Sequence, residues 1–318
     1  MAPHETILQI LLIGVANGAL IALVALGYTM VYGIIELINF AHGDVFMMGT
    51  MISLTMVTWV PSLMGLRRAS LIDPPLLALL LLGTLLVAMV CCAILNTTIE
   101  RLAYRPLRRA PRLAPLISAI GVSFILVNIG LHWKGASPVD FPNLLPNIDL
   151  FRDVLGINTP VLFTLKDIFV ILLATPLMVG LTLFVNRTRL GKAMRATAQD
   201  REAAALMGID INQTIFLTFL IGGALAGSAG FIHGLYNNSA WFFQGFRGGL
   251  YAFTAAVLGG VGNIQGAFLG GMVIGIVAAI SDFQFDPRWT QAVVFGILVL
   301  ILIFKPTGLL GEETAVRA

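Results

Sequence analysis

Long apolar runs, separated by short polar stretches, organise this chain. They cover about 7–30, 44–60, 75–99, 113–133, 167–186, 214–236, 250–281 and 289–305. A helix needs roughly 20 apolar residues to cross the hydrocarbon core of a bilayer, and these runs are of that order. Lipid offers no partner to a loose backbone N–H or C=O, so each run is expected to be helical. The expected fold class is all-α: a polytopic transmembrane helical bundle of about eight hydrophobic segments, in a single domain over 1–318.

Two regions read as broken, re-entrant helices. They are INFAHGDVFMMG (Ile38–Gly49) and AAVLGGVGNIQGAFLGG (Ala255–Gly271). Glycine costs a helix interior about 1 kcal/mol relative to alanine, so Gly259, Gly260 and Gly262 followed by Asn263 predict a break. At membrane depth such a break is tolerated where it is buried in protein or lines a watery cavity. If each break turns a half-helix back, both regions are hairpins opening outward and both termini lie on the cytoplasmic side. The order span, broken hairpin, span then occurs at 7–99 and again at 214–305, which suggests an internal duplication of the kind common in transporters.

The polar connections set the orientation. Arg101, Arg105, Arg108, Arg109 and Arg112 crowd one, and Arg187, Arg189, Lys192, Arg195 and Arg201 another, together more than half of the 19 basic residues. Basic loops stay cytoplasmic, so both connections are expected there. The stretch 134–166 between them must face outside; it carries Pro138, Pro142, Pro146 and Pro160 with Asp140, Asp149 and Asp153. Arg67 and Arg68 fall on the outer side and fit this scheme poorly. Trp59, Trp133, Trp241 and Trp289 fall near span ends, as interface anchors do.

Composition agrees. Of 318 residues 58% are hydrophobic and 11% charged, and mean hydropathy is +0.93. Soluble domains sit nearer 45–50% apolar and about 25% charged. The net charge of +3 belongs to loops beside spans and does not suggest nucleic acid. Cys91 and Cys92 are adjacent in an apolar run, where their side chains diverge too far for an ordinary disulfide. No basic n-region precedes the first run, so no cleavable signal is expected.

The stretch RATAQDREAAALMGID, Arg195–Asp210, looks like the surface of a soluble protein placed between two apolar runs. As a single helix it has one apolar stripe of Ala193, Ala196, Ala203, Leu206 and Met207, with Gly208 as its stop. Asp210 or Asn212 can cap the next span. From the pattern alone this is a short amphipathic helix, either lying on lipid headgroups or docking on a partner. Glu202-Ala203-Ala204, three residues and Gly208 form the string EAAxxxG. That string resembles the signature of ABC importer permeases, although the Ile-x-Leu-Pro ending of the full signature is missing. The resemblance implies that 187–213 is a cytoplasmic coupling segment docking on an ATP-hydrolysing subunit, with Arg195, Asp200, Glu202, Ala203, Ala204 and Gly208 in that contact.

Further segments widen the resemblance. MVYGIIELINFAHGDVFMMG (30–49), IERLAYRPLRRAPRLAPLISAIG (99–121), AFTAAVLGGVGNIQGAFLGG (252–271) and KPTGLLG (305–311) resemble the permeases of branched-chain amino acid ABC importers, specifically their H-type subunit. The likeness is ordered over about 10–311; Glu36 departs from the small neutral residue usual there. It implies a multi-pass protein of the bacterial cytoplasmic (inner) membrane. The implied partners are a second homologous permease subunit in a heterodimer, two ATP-binding subunits, an extracytoplasmic substrate-binding protein and membrane lipid. ATP and Mg would be bound by the partners, with no cofactor or metal in this chain. Relatives of this family carry urea, amides and other amino acids, so an apolar path leaves the substrate open.

Candidate path residues sit in the two breaks: Asn39, His42 and Asp44 in the first, Gly259, Gly260, Gly262 and Asn263 in the second. Ionised groups deep in a bilayer cost at least about 2.5–3.5 kcal/mol, so His42 and Asp44 have three readings: lining the path, capping half-helices, or lying near the membrane surface. The glycines either form a backbone nest for a carboxylate or let helices pack closely. Gly222, Gly223, Ala226, Gly227 and Gly230 read as packing positions. The stretch 134–166 and the region Trp241–Arg247 are candidate landing surfaces for a binding protein.

The sequence holds no HExxH, no GxSxG and no GxxxxGK(S/T), so no enzyme site is expected and ATP must be hydrolysed elsewhere. The expected mechanism is alternating access, in which the helix around Glu202–Gly208 moves with the ATPases. The competing class is a secondary transporter or channel driven by ions at the broken helices.

Overall fold

The computed structural model describes residues 3–35, 39–63, 73–108, 110–111, 113–305 and 307–311. Glu36, Ile38, Arg67, Arg68, Arg109 and Arg112 lie outside them. In chain order the helices are α1 (Pro3–Ile35), α2 (Ala41–Leu63), α3 (Pro74–Ile99), α4 (Leu113–Lys134), α5 (Leu165–Arg187), α6 (Arg189–Gln199), α7 (Arg201–Leu206), α8 (Ile211–Asn237), α9 (Gln244–Gly259), α10 (Ile264–Gln284) and α11 (Thr290–Phe304). Seven of those described, α1 to α5, α8 and α10, are long and apolar enough to cross a membrane, and α11 is a shorter apolar helix. The chain is thus a polytopic helical bundle, close to the expected eight segments.

Small residues set how closely the helices approach. α1 packs along α10, where a Cβ on Gly271 would come 2.4 Å from the Ala22 Cα. α8 sits between α3 and α2: a Cβ on Gly227 would meet the Ala88 carbonyl at 2.4 Å, and one on Gly230 the Phe46 carbonyl at 2.4 Å. Gly222, Gly223, Ala226, Gly227 and Gly230 are all buried, as packing positions should be. Cys92 is buried on α3, whereas Cys91 faces outward. α3, α4 and α5 keep exposed apolar side chains such as Leu86, Phe124, Ile125 and Leu172, a surface suited to lipid or to another subunit.

The second interruption falls where the glycines predict it. α9 ends at Gly259, α10 begins at Ile264, and Gly260 and Gly262 turn the chain with φ of +105° and +91°. The side chain of Asn263 accepts a hydrogen bond from Gly266 N, capping α10. The first interruption lies earlier than the middle of Ile38–Gly49. It falls between α1 and Ala41, after which α2 runs unbroken. His42 sits beside Gly27 of α1, whose own neighbour is the carbonyl of Gly222, about midway along α8. α2 therefore starts within the bundle.

This placement corrects the expectation that both termini share one side. Near the start of α1, Gln9 Nε2 donates to the Leu162 carbonyl at 3.0 Å and Gln9 Oε1 accepts from Leu162 N at 2.6 Å. The N-terminal end is therefore on the face of the 134–166 connection. At the other end, the Ile34 carbonyl meets Arg201, and the Leu309 and Leu310 N–H groups donate to the carbonyls of Leu258 and Gly259. Gly262, in that same turn, faces Gly33. The last described residues are thus on the basic face, opposite the start. The expectation fails because it treats the first break as a hairpin inside a span, whereas α2 continues to the far face as one helix. A similar order recurs, with α1, a break, α2 and α3 echoed by α9, a break, α10 and α11.

On the face opposite the basic connections, 134–166 and the turn after α8 form one layer. β1 (Val139–Asp140) pairs antiparallel with β2 (Ser239–Ala240), Val139 opposite Ala240. Phe141 is buried against Gly234, and Trp241 Nε1 donates to the Ala136 carbonyl at 3.0 Å.

Candidate functional site: a cavity at the first break and a helix pair on the basic face

The start of α2 brings Asn39, His42 and Asp44 together, all buried. Asn39 is held by Tyr104 just beyond the end of α3, whose hydroxyl donates to its Oδ1 at 2.7 Å. His42 packs edge-on against Tyr28, ring centroids 4.8 Å apart. The Gly43 N–H donates to the Tyr28 hydroxyl at 3.2 Å. Asp44 lies in the first turn of α2, where a helix favours negative charge. Its carboxylate has no ion pair among the described residues, and Oδ1 has no hydrogen-bond partner among them.

Asp44 borders a cavity of about 430 Å³ between α4 and α9. Tyr28 and Asp44 supply polar groups, and Ser123 of α4 adds a hydroxyl to the same wall. Aromatic side chains make most of the remaining wall: Phe40, Phe124, Phe243, Phe246 and Phe253. Close approach of α9 makes room for this wall, since a Cβ on Gly245 would come 2.7 Å from Asp44 Oδ1. Phe124, Phe243 and Phe246 are exposed, so the cavity opens on the flank of the bundle. Its volume lies in the roughly 300–1,000 Å³ range of small-molecule sites.

The residues of the second break are not part of that cavity. A Cβ on Gly259 would sit 2.0 Å from the Gly266 carbonyl, and one on Gly260 2.4 Å from Gly311 N. Asn263 Nδ2 donates to the Leu310 carbonyl at 2.8 Å. The arrangement is close helix packing, covered by Leu309, Leu310 and Gly311.

On the basic face, the stretch expected as one helix is two. Asp200 is extended (φ −157°, ψ 113°) and its carboxylate accepts from Glu202 N and Ala203 N at 2.9 and 3.0 Å, ending α6 and starting α7. A side chain that looks like surface charge is therefore an N-cap. The apolar stripe splits with it. Gly191, Met194, Thr197 and Ala204 face inward, while Leu206 and Met207 are 89% and 83% exposed. Glu202, Ala203 and Gly208 share that exposed face, and Arg195 donates to Asn186 at 3.0 Å. Gly208 stops α7 at φ +82°, and Asp210 rather than Asn212 caps α8. Asn212 instead accepts from Arg108 at 2.6 Å, and Arg108 also pairs with the buried Glu100. Burial pulls the Arg108 guanidinium below its ordinary pKa, and the Glu100 carboxylate opposes that shift. Arg201 reaches across to α1, donating from Nε and Nη2 to the Ile34 carbonyl at 3.1 and 2.5 Å.

Several of these residues escape a reading of the sequence. Ser123 lies in an unremarkable apolar span, and Arg201 looks like one more basic loop residue. The run of aromatics from Trp241 to Phe253 is the available signal for the cavity wall.

Residues 10–302 match the family described as branched-chain amino acid transport system, permease component. The chain is 41% identical over 305 residues to the high-affinity branched-chain amino acid transport system permease protein BraD of Pseudomonas aeruginosa, covering 96% of each. To the corresponding protein LivH of Escherichia coli it is 39% identical over 307 residues, again 96% of each. A shorter match, 31% over 140 residues, links 40% of this chain to 41% of the probable permease LivM of Methanocaldococcus jannaschii. With a family match over nearly its whole length and a polytopic helical bundle, the chain belongs to the permease components of branched-chain amino acid transport systems.

Proposed function

We propose that this chain is one of two homologous permease subunits of an ABC importer in a bacterial cytoplasmic membrane, and that it carries branched-chain or other hydrophobic amino acids. The relatives named for branched-chain amino acids support the substrate class. The match to LivM supports a second, related permease beside it. ATP and Mg belong to two separate ATP-binding subunits, and a substrate-binding protein lands on the face formed by 134–166 and Trp241–Arg247.

The observation that carries the reading is the helix pair on the basic face. Leu206 and Met207 offer apolar contact beside Glu202, Ala203 and Gly208, which suits a groove on a partner. Arg201 anchors the same short helix to the end of α1, next to the break that leads into the cavity. A displacement of the 187–213 segment is therefore passed through Arg201 to α1, whose Tyr28 touches His42 and Gly43 beside Asp44. Arg195 and Asp200 hold the segment in shape, the former through Asn186 and the latter as the α7 cap. Gly259, Gly260, Gly262 and Asn263 act as the fixed turn against which the first break moves.

Copurification tests this. The chain is coexpressed with the proteins encoded beside it and pulled down by a tag at Ala318. Recovery of a second permease and two ATPases is the expected result. A homo-oligomer without coexpressed ATPases favours a secondary transporter or channel.

A further inference from the structure

Buried carboxylates are normally paired, because an unpaired buried charge is costly. Asp44 is 2% exposed, has no ion pair among the described residues and borders a cavity large enough for a small molecule. The rest of the wall is mainly aromatic, with the hydroxyls of Tyr28 and Ser123 as its other polar groups. The missing complement is thus a small cation with an apolar body. Resting on the reading of the chain as an amino acid permease, we propose that Asp44 is a specificity residue that receives the α-ammonium group of the substrate in transit, while Phe246 and Phe253 take its side chain.

The geometry separates the two ends of such a ligand. Tyr28 is engaged by Gly43 N–H and stands at the Asp44 end, so the polar end of the cavity is fixed by α1 and α2. α9 and α4 provide the apolar end, and neither Gly245 nor Gly249 can carry a side chain without closing the space beside Asp44 and Tyr28. An ammonium donates to a carboxylate with charge-assisted hydrogen bonds, and cation–π contact with the ring of Tyr28 adds to them. An uncharged solute of the same size gains neither. A bound lipid chain would fill the apolar end and leave Asp44 without a partner.

The test uses the complete importer in liposomes, with binding protein outside and ATP inside, and compares leucine uptake by the wild type, Asp44→Asn, Asp44→Glu and Phe253→Trp. Asp44→Asn keeps the shape and removes the charge, so uptake should fall at least about tenfold, as expected for loss of one partner of a buried charge pair. Binding-protein-stimulated ATP hydrolysis is measured alongside, so that loss of docking is told apart from loss of substrate passage. Asp44→Glu should retain a measurable part of the uptake. Phe253→Trp narrows the apolar end and should reduce leucine uptake more than alanine uptake. Wild-type leucine uptake by Asp44→Asn overturns the inference while leaving the permease reading standing. Absence of ATP-driven uptake in the wild type overturns the permease reading itself, and the inference with it. If Asp44→Asn does not assemble, equal loss of leucine and alanine uptake in Phe253→Trp counts against the cavity as the substrate site.

Discussion

The guanidinium of Arg201 donates two hydrogen bonds to the backbone carbonyl of Ile34, joining the first turn of α7 to the last turn of α1. The α1 end has carbonyls without intrahelical partners, and a cation there satisfies one of them. This is the described link between the exposed helix on the basic face and the segment that leads into α2. Arg201 is on this account a positioning residue for transport.

Arg201→Ala should therefore lower uptake roughly fivefold or more, the scale of a typical coupling energy, with assembly unchanged. Arg201→Lys keeps one donor and should fall between. The readout is the ratio of substrate moved to ATP hydrolysed, which loss of a purely structural contact would leave constant.

Asp200 separates α6 from α7 by capping the latter. Asp200→Ala should cost the cap about 1 kcal/mol and let the 195–207 stretch relax toward a single helix. Transport should weaken with Asp200→Ala and recover in Asp200→Ser or Asp200→Asn, which also cap. Uptake assays on the three variants check this.

The part of the fold that composition and periodicity control is legible in the sequence. Apolar runs mark the spans, and Gly259, Gly260 and Gly262 mark the second break to within a residue, because glycine acts locally. The residue pattern reads Ile38–Gly49 as a broken hairpin; the break does fall there, before Ala41, but His42, Gly43 and Asp44 sit inside α2, which does not turn back. Tertiary neighbours decide that: His42 fits only because Gly27 has no side chain, and Asp44 only because Gly245 has none. The wrong side for the N-terminus follows from the same error. The cavity is out of reach of the sequence because Ser123 and Phe253 meet Asp44 only once α4 and α9 are packed.

Gly27 offers a direct check of that packing. A Cβ there would lie 2.3 Å from His42 Nε2. Gly27→Ala should destabilise the protein by about 1–3 kcal/mol through overpacking. Adding His42→Ala removes the opposing ring, so the double variant should be more stable than the two separate losses predict. Thermal unfolding of the purified protein in detergent measures both.

The glycines are not equivalent. Gly271 faces Ala22 so closely that Gly271→Val should abolish the α1–α10 contact and the folded protein with it. Gly83 in α3 has open space on the side where a Cβ would stand, with nothing within 4 Å, and Gly83→Ala should be neutral or stabilise by about 0.4–1 kcal/mol. Yield of monodisperse protein in detergent separates the two cases.

The central claim is that this chain moves amino acids with energy delivered through 187–213 by separate ATPases. The most direct measurement is leucine uptake into liposomes holding the assembled complex, with ATP, the binding protein and ion gradients supplied one at a time, for the wild type and for Glu202→Ala and Gly208→Val. Uptake that requires both ATP and binding protein, and that is lost in the two variants while the complex stays assembled, is the predicted result. Uptake driven by an ion gradient with this chain alone, or full transport by both variants, would contradict the account.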